Sequence, residues 1–241
     1  MVYVCQVVTN TTRPTPPAPA VTGSNRGRRA GLTRTRVIET AVQILDRDGL
    51  EAFSLRRLAT ELGVETMSLY NHVANRDDLL DGVVEHVYAE LIAPRGTRKA
   101  ATWQDQIRKG ATRFRQVMLA HPHASIVVLT RRVLTDTPLA AMRGGLKPLL
   151  DAGLSNDQAI QALRSLTAYL TGTILREVGA GETYAINDPD RTAQRVQELA
   201  ATDDPLLADM ADRVAAIDHA AQFDFGVELF IAGIEAATAR R

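Results

Sequence analysis

The chain has 241 residues, 45% of them hydrophobic and 23% charged, which suits one large or two small globular domains and excludes a chain too polar to bury a core. Its net charge is zero but unevenly spread: residues 1–76 hold ten Arg and no Lys against six acids, while the rest holds 18 bases against 22 acids. A basic first third points to a polyanionic partner for that part alone, and a single cysteine, Cys5, excludes a disulfide framework and a thiolate metal site.

The apolar start, residues 1–8, lacks a basic flank and is too short for a signal peptide or a membrane span. No other segment approaches the roughly 18 continuous apolar residues a span needs. The expected location is therefore the cytoplasm, with no membrane partner. Residues 9–31 are rich in Pro, Thr and Gly and have no apolar period, so residues 1–31 read as a disordered arm. Arg26, Arg28 and Arg29 close it, placed either to reach phosphates or to stay solvated.

From Leu32 the pattern turns helical. Val37, Ile38, Ala41, Ile44 and Leu45 recur at spacings of three and four, with Thr33 as N-cap and Gly49 as the stop. Ser54 caps a second helix, 55–62, whose inner side is Leu55, Leu58, Ala59 and Leu62. A turn at Gly63 and Val64 leads to a third helix, expected from about Glu65 to His72. A fourth opens at Asn75 or Arg76, with Asp77 and Asp78 in its first turn and Leu79, Leu80, Val83, Val84, Val87 and Leu91 along one side.

A linker at 93–96 follows. Thr102 and Asp105 then open a helix through Ile107, Ala111, Phe114, Val117 and Met118, stopped by His121 and Pro122. Two further helices are expected over 126–134 and 139–150. Ser155 and Gln158 cap a long one through Ile160, Leu163, Leu166, Leu170 and Ile174. Residues 178–204 read as a polar loop with a helical insert. The last helix, about Phe223 to Ala237, is apolar over most of its circumference, which at a chain end points to a subunit interface. No segment carries a strand period, so the expected fold is all-α.

A helix, a Ser-capped helix, a glycine turn and a short helix make a helix-turn-helix within a three-helix core. The second helix, at eight residues, is too short to stand alone and must pack on Val64 and Leu69. Gly63 permits the sharp turn between them. The free side of the third helix, with Glu65, Thr66, Met67, Ser68, Asn71 and His72, can then enter a DNA major groove.

Residues 32–88 resemble the DNA-binding domain of the tetracycline-repressor (TetR) family. The resemblance is carried by Val37, Ile38, Ala41, Ile44 and Leu45; by Gly49, Leu50, Phe53, Ser54, Leu55, Arg56, Leu58, Ala59, Leu62, Gly63 and Val64; and by Leu69, Tyr70, His72, Val73, Asn75, Arg76, Leu79 and Leu80. More loosely, His121-Pro122, Gly153-Leu154-Ser155, Gly172, Phe225-Gly226, Leu229-Phe230 and Gly233 resemble the family's ligand-binding, dimer-forming domain. The resemblance implies an N-terminal three-helix DNA-binding domain over 32–76, and a larger helical ligand-binding and dimerisation domain over 77–241. It implies a homodimer through the helices at about 155–178 and 223–237.

By position, the family's phosphate contacts fall on Tyr70, His72 and Arg76, its base-facing positions on Thr66, Met67 and Ser68, and a further DNA contact on Arg56; Asn71 stands where members vary. Hydroxyl, imidazole and guanidinium donors suit phosphate oxygens, while Ser, Thr and Met can touch base edges and thymine methyls. The implied function is a ligand-responsive regulator, a repressor of transcription, released from operator DNA by a small molecule and not an enzyme. Candidate pocket walls are Trp103, Phe114, Met118, Leu129, Tyr169, Thr173 and Arg176, apolar with a few polar groups as drug-sized pockets are, and all able to serve as core instead.

The positions of the family's two metal-side histidines fall at Val128 and Ala168, which argues against a magnesium–tetracycline ligand. His121 and His123 have a metal-like spacing, but they flank Pro122 at a helix end, with no carboxylate close in sequence. No metal and no cofactor are expected. Two other readings remain open: an α-helical enzyme using His72 with Asp77 or Asp78 as an acid–base pair, and a helical adaptor that binds only protein.

Overall fold

The Thr33 hydroxyl accepts a hydrogen bond from the Arg36 amide (3.1 Å) and starts α1, Arg34–Asp48. Ser54 does the same for α2, Leu55–Leu62, accepting from Arg57 at 3.2 Å. Gly63 ends α2 in the left-handed region (φ 67°, ψ 34°), where a side chain would be strained, and turns the chain into α3, Thr66–Leu69. Asn75 caps α4, Arg76–Ile92, by accepting from the Asp78 amide at 2.9 Å.

Beyond these four lie α5 (Trp103–Ala120), α6 (Ala124–Thr130), α7 (Asp136–Asp151), α8 (Asn156–Glu177), α9 (Pro189–Ala200), α10 (Pro205–Asp209), α11 (Ala211–Ala215) and α12 (His219–Ala239). The computed structural model describes residues 31–93, 102–179, 189–216 and 218–239. The fold is all-α, with no strand among the described residues. The expected arm with its three arginines, most of the 93–96 linker and the middle of the 178–204 loop lie outside the described residues.

Two hydrophobic clusters hold the structure. The first joins the inner faces of α1 to α4 with Val117 and Met118 of α5, Ala124, Val127 and Val128 of α6, and Ile174 of α8. The second gathers Ile107 and Ala111 of α5, Leu149 of α7, Leu166 and Leu170 of α8, and Phe223, Val227, Ile231 and Ile234 of α12. Phe114 packs against both. The three-helix head therefore shares its core with α4, α5 and α6, so a displacement of α6 bears directly on α1.

Several boundaries differ from those the sequence suggests. The third helix is a single four-residue turn, so Tyr70 is its C-cap and Asn71 and His72 lie in the turn after it. Val73, 2% exposed, is drawn into the core while Asn75 already caps α4, and the Leu69 carbonyl accepts from both His72 and Val73 (2.8 and 3.0 Å). The helix expected at 126–134 runs 124–130 instead. Asp46 of α1 supplies its missing cap, accepting from the Ala124 amide at 3.0 Å. Within residues 178–204, expected as a loop with a helical insert, the insert is the helix 189–200; two short helices, 205–209 and 211–215, follow it, and the three pack mainly on one another. The capping box at Ser155 and Gln158 forms in both directions.

Candidate nucleic-acid interface

The exposed strip that follows Gly63 is built on a buried frame. Leu69 and Leu58 are fully buried, and Leu55, Leu62 and Val64 pack against them. Outward from this frame stand Met67, 73% exposed, and Tyr70, 45% exposed, with Thr66 and Ser68 half-buried beside them. Asn71 is exposed and His72 half-buried in the turn. Arg76 begins α4 next to that turn, its guanidinium 6.0 Å from the Phe53 ring centre, and Arg56 is exposed on α2. Met67 is the most exposed large apolar side chain among the described residues.

The turn bearing Tyr70 and His72 is pinned by two residues that the sequence does not mark. Arg34, at the start of α1, donates to both carboxylate oxygens of Asp78 (3.0 and 2.7 Å) and to the His72 carbonyl (2.8 Å). Asp78 also accepts from the Ala74 amide at 2.7 Å. The Arg34 fork and then the Ala74 amide hold the Asp78 carboxyl below the usual carboxylate range, and the fork to Asp78 raises Arg34. Nothing in local spacing announces a pair 44 positions apart. A second set of ion pairs, Arg47 with Glu61 and Arg57 with Asp48, ties α1 to α2.

The acid–base pair considered for an enzyme does not assemble. Asp78 is taken by Arg34, and the Asp77 carboxylate faces Arg131 at 3.2 Å. Arg131, just past α6, also reaches Asp81 (3.0 and 2.8 Å), so the end of α6 is fastened to the first turns of α4.

The candidate pocket residues divide between the two clusters. Met118 is fully buried in the first with Leu129 against it, Trp103 and Tyr169 pack on the second, and Phe114 lies between. The Tyr169 hydroxyl sits 2.8 and 3.0 Å from the Gln222 and Phe223 carbonyls, fastening α8 to α12. Thr173 bonds back to carbonyls of its own helix, and the Arg176 Nε is buried with no hydrogen-bond partner. Val128, where a metal-side histidine would stand, is 2% exposed in the first cluster.

On α12 the buried stripe of Phe223, Val227, Ile231 and Ile234 is backed by an exposed one. Phe225 is 66% and Leu229 58% exposed, with Ala232 and Ala236 continuing their line. Ile160, Thr167 and Ala168 are exposed on α8. Among the described residues no helix is long and apolar enough to cross a membrane.

The family model described as "Bacterial regulatory proteins, tetR family" matches residues 37–83, and the one described as "Tetracyclin repressor-like, C-terminal domain" matches 95–238. A curated HTH-type transcriptional regulator from Saccharopolyspora erythraea is 31% identical over 211 residues, covering 86% of each chain. The HTH-type transcriptional repressor DrrR1 of Streptomyces coeruleorubidus is 28% identical over 226 residues, 90% of this chain and 82% of that one. The crystal structure of ActR from Streptomyces coelicolor with actinorhodin superposes with a TM-score of 0.74 at 30% identity, covering 86% of this chain and 98% of that one.

Proposed function

As the chain belongs to the TetR family of ligand-responsive transcriptional regulators, we propose that it represses transcription as a homodimer whose two heads, residues 32–76, grip operator DNA until a small molecule binds within residues 77–241. Tyr70, His72 and Arg76 bond phosphates and fix the head. Thr66, Met67, Ser68 and Asn71 read base edges, and Arg56 adds a contact from α2. The observation that carries this reading is the strip itself: an apolar side chain, hydroxyls, an imidazole and a guanidinium within eleven residues, exposed or half-buried and carried on one buried frame. Phosphate contacts supply most of the affinity and the base-facing side chains the specificity.

The dimer uses α8 and α12, where Phe225 and Leu229 stay exposed in the single chain. The effector is a drug-sized molecule held among Trp103, Phe114, Met118, Leu129, Tyr169, Thr173 and Arg176. ActR, a relative of matching fold, takes actinorhodin. Release follows from linkage: a ligand that prefers the form unable to span the operator weakens DNA binding by the factor by which DNA weakens the ligand. The protein acts in the cytoplasm and catalyses no reaction. The relatives are transcriptional regulators.

A gel-shift assay on the DNA upstream of its own gene tests this. Wild-type protein shifts the fragment, and Tyr70→Ala and Arg76→Ala shift it at higher concentration. A thermal-shift screen of small molecules then yields a stabilising compound that also releases the DNA. Failure of the wild-type protein to bind any promoter-proximal fragment would overturn the reading.

A further inference from the structure

His121 closes α5 at the corner where the effector domain meets the head. Its Nδ1 lies 2.7 Å from Oδ2 of Asp46 on α1, and its Nε2 lies 3.2 Å from Oε1 of Glu90 on α4. The imidazole is mostly enclosed, with 16% of the side chain exposed. A neutral imidazole carries one N–H and can donate to only one of these carboxylates. The other oxygen then faces a ring lone pair at hydrogen-bond distance, which is repulsive. Only the imidazolium satisfies both.

Among the described residues no Lys or Arg reaches the two carboxylates that His121 bridges. Asp46 receives, besides His121, the Ala124 amide on its other oxygen and His123 Nδ1 on its backbone carbonyl (2.8 Å). Glu90 has His86 Nε2 at 3.7 Å, and Arg113 of α5 donates to the Glu90 backbone carbonyl, not to its carboxylate. The neighbouring charges on α1, Arg47 and Asp48, are engaged with Glu61 and Arg57. Among the described residues no group of three or more His, Cys, Asp or Glu is placed to hold a metal ion.

We propose that His121 is a proton-dependent latch between the reading head and the effector domain: its imidazolium bridges Asp46 of α1 to Glu90 of α4, and its neutral ring lets one of them go. Asp46 also caps α6 through its other oxygen, so a change in its hold on the ring loosens the tie between α1 and the start of α6. Head position, and with it DNA affinity, is thereby linked to pH. The hydrogen bond to Asp46 is the main cause raising the His121 pKa, against burial. The latch is therefore fully closed below the ordinary histidine value of about 6.5 and opens as pH rises through the raised one. The DNA consequence rests on the reading of residues 32–76 as the DNA head; the latch itself does not.

The test uses the full-length protein. Ring resonances of the five histidines are followed by NMR across pH, and amide exchange of 34–48 and 121–130 is measured at the same pH values and corrected for intrinsic rates. His121 should titrate above the ordinary histidine value of about 6.5, and protection of the Ala124 amide and of α1 should fall severalfold across that titration. In His121→Gln this fall should vanish while α2 keeps its protection. If the variant does not fold, the wild-type ring titration decides alone. A His121 pKa at or below the ordinary histidine value of about 6.5 overturns the latch, as does the same pH profile of exchange in wild type and His121→Gln. In a final arm, affinity for the upstream duplex at fixed salt is compared between the two proteins. His72 of the reading strip is common to both proteins, so only a difference in pH dependence reports on His121. Parallel curves overturn the link to DNA, whereas no DNA binding at any pH overturns the proposed function and leaves the latch to the first two measurements.

Discussion

Arg34 and Asp78 meet through two parallel hydrogen bonds, 3.0 and 2.7 Å long, and each also holds the backbone of the turn between α3 and α4: Arg34 the His72 carbonyl, Asp78 the Ala74 amide. The pair is the brace behind Tyr70 and His72. Replacing Arg34 by Gln or Asp78 by Asn removes a partly exposed ion pair and leaves backbone groups without partners, at about 1–2 kcal/mol. Urea unfolding should show that loss. The larger effect should be on DNA: the upstream duplex should bind more weakly to either variant, while affinity for an effector found in the screen stays unchanged. Acid titration gives a second readout. Because the folded-state pKa of Asp78 is depressed, its contribution is present above about pH 4 and is lost as pH falls through the lowered value. Asp78→Asn should therefore lose less stability on acidification than wild type.

Arg76 tests the electrostatic part of the interface. Its guanidinium packs over Phe53 at 6.0 Å on an exposed surface, worth about 0.5 kcal/mol, so Arg76→Ala should fold nearly as well as wild type. Removing one phosphate contact from each head, two per dimer, should lower the slope of log affinity against log salt by about two. Met67→Ala should leave that slope alone and relax preference at a single base position, which a panel of operator variants would reveal. A Met67→Ala protein with unchanged preference at every position would remove Met67 from the reading face.

Most of the head was legible in the sequence because its signals are local. Thr33, Ser54 and Asn75 cap helices within their own next turn, and Gly63 takes the left-handed conformation its place demands. What the sequence hid is what depends on distant partners. The third helix stops at Leu69 with no glycine or proline to announce it, because the burial of Val73 and the capping of α4 pull the chain out of helix. The start of α6 was invisible for the same reason: its cap is Asp46, 78 positions away. His121 reads locally as a helix end, and only packing brings Asp46 and Glu90 to its two nitrogens. The brace of Arg34 and Asp78 likewise carries no mark in either residue's neighbourhood.

Gly226 tests the joint between α8 and α12. A Cβ there would lie 2.1 Å from the Tyr169 hydroxyl and 2.2 Å from the ring carbon bearing it, a clash relieved only by moving the ring off the Gln222 and Phe223 carbonyls. Gly226→Ala should destabilise by about 1–3 kcal/mol, the usual range for overpacking. Adding Tyr169→Ala should make the glycine replacement nearly harmless, since the clashing atoms are gone. A double-mutant cycle by thermal or urea unfolding measures that coupling. Strict additivity would show that the two helices are held elsewhere.

The exposed stripe on α12 tests the homodimer. Phe225 and Leu229 stand one turn apart on the same side of the helix, 66% and 58% exposed, opposite the stripe that fills the second cluster. In a two-fold assembly each substitution occurs twice, and residues near the axis meet their own copies. Leu229→Glu should therefore bury two like charges at once, whereas a lone chain would lose almost nothing, because the position faces water. Sedimentation velocity should show wild type as a dimer and Leu229→Glu as a monomer at the same concentration. Circular dichroism should report a helix content close to that of wild type. Operator affinity should fall with the dimer, since one head alone makes half the phosphate contacts. A Leu229→Glu and Phe225→Glu double variant that still sediments as a dimer would move the interface off this face of α12.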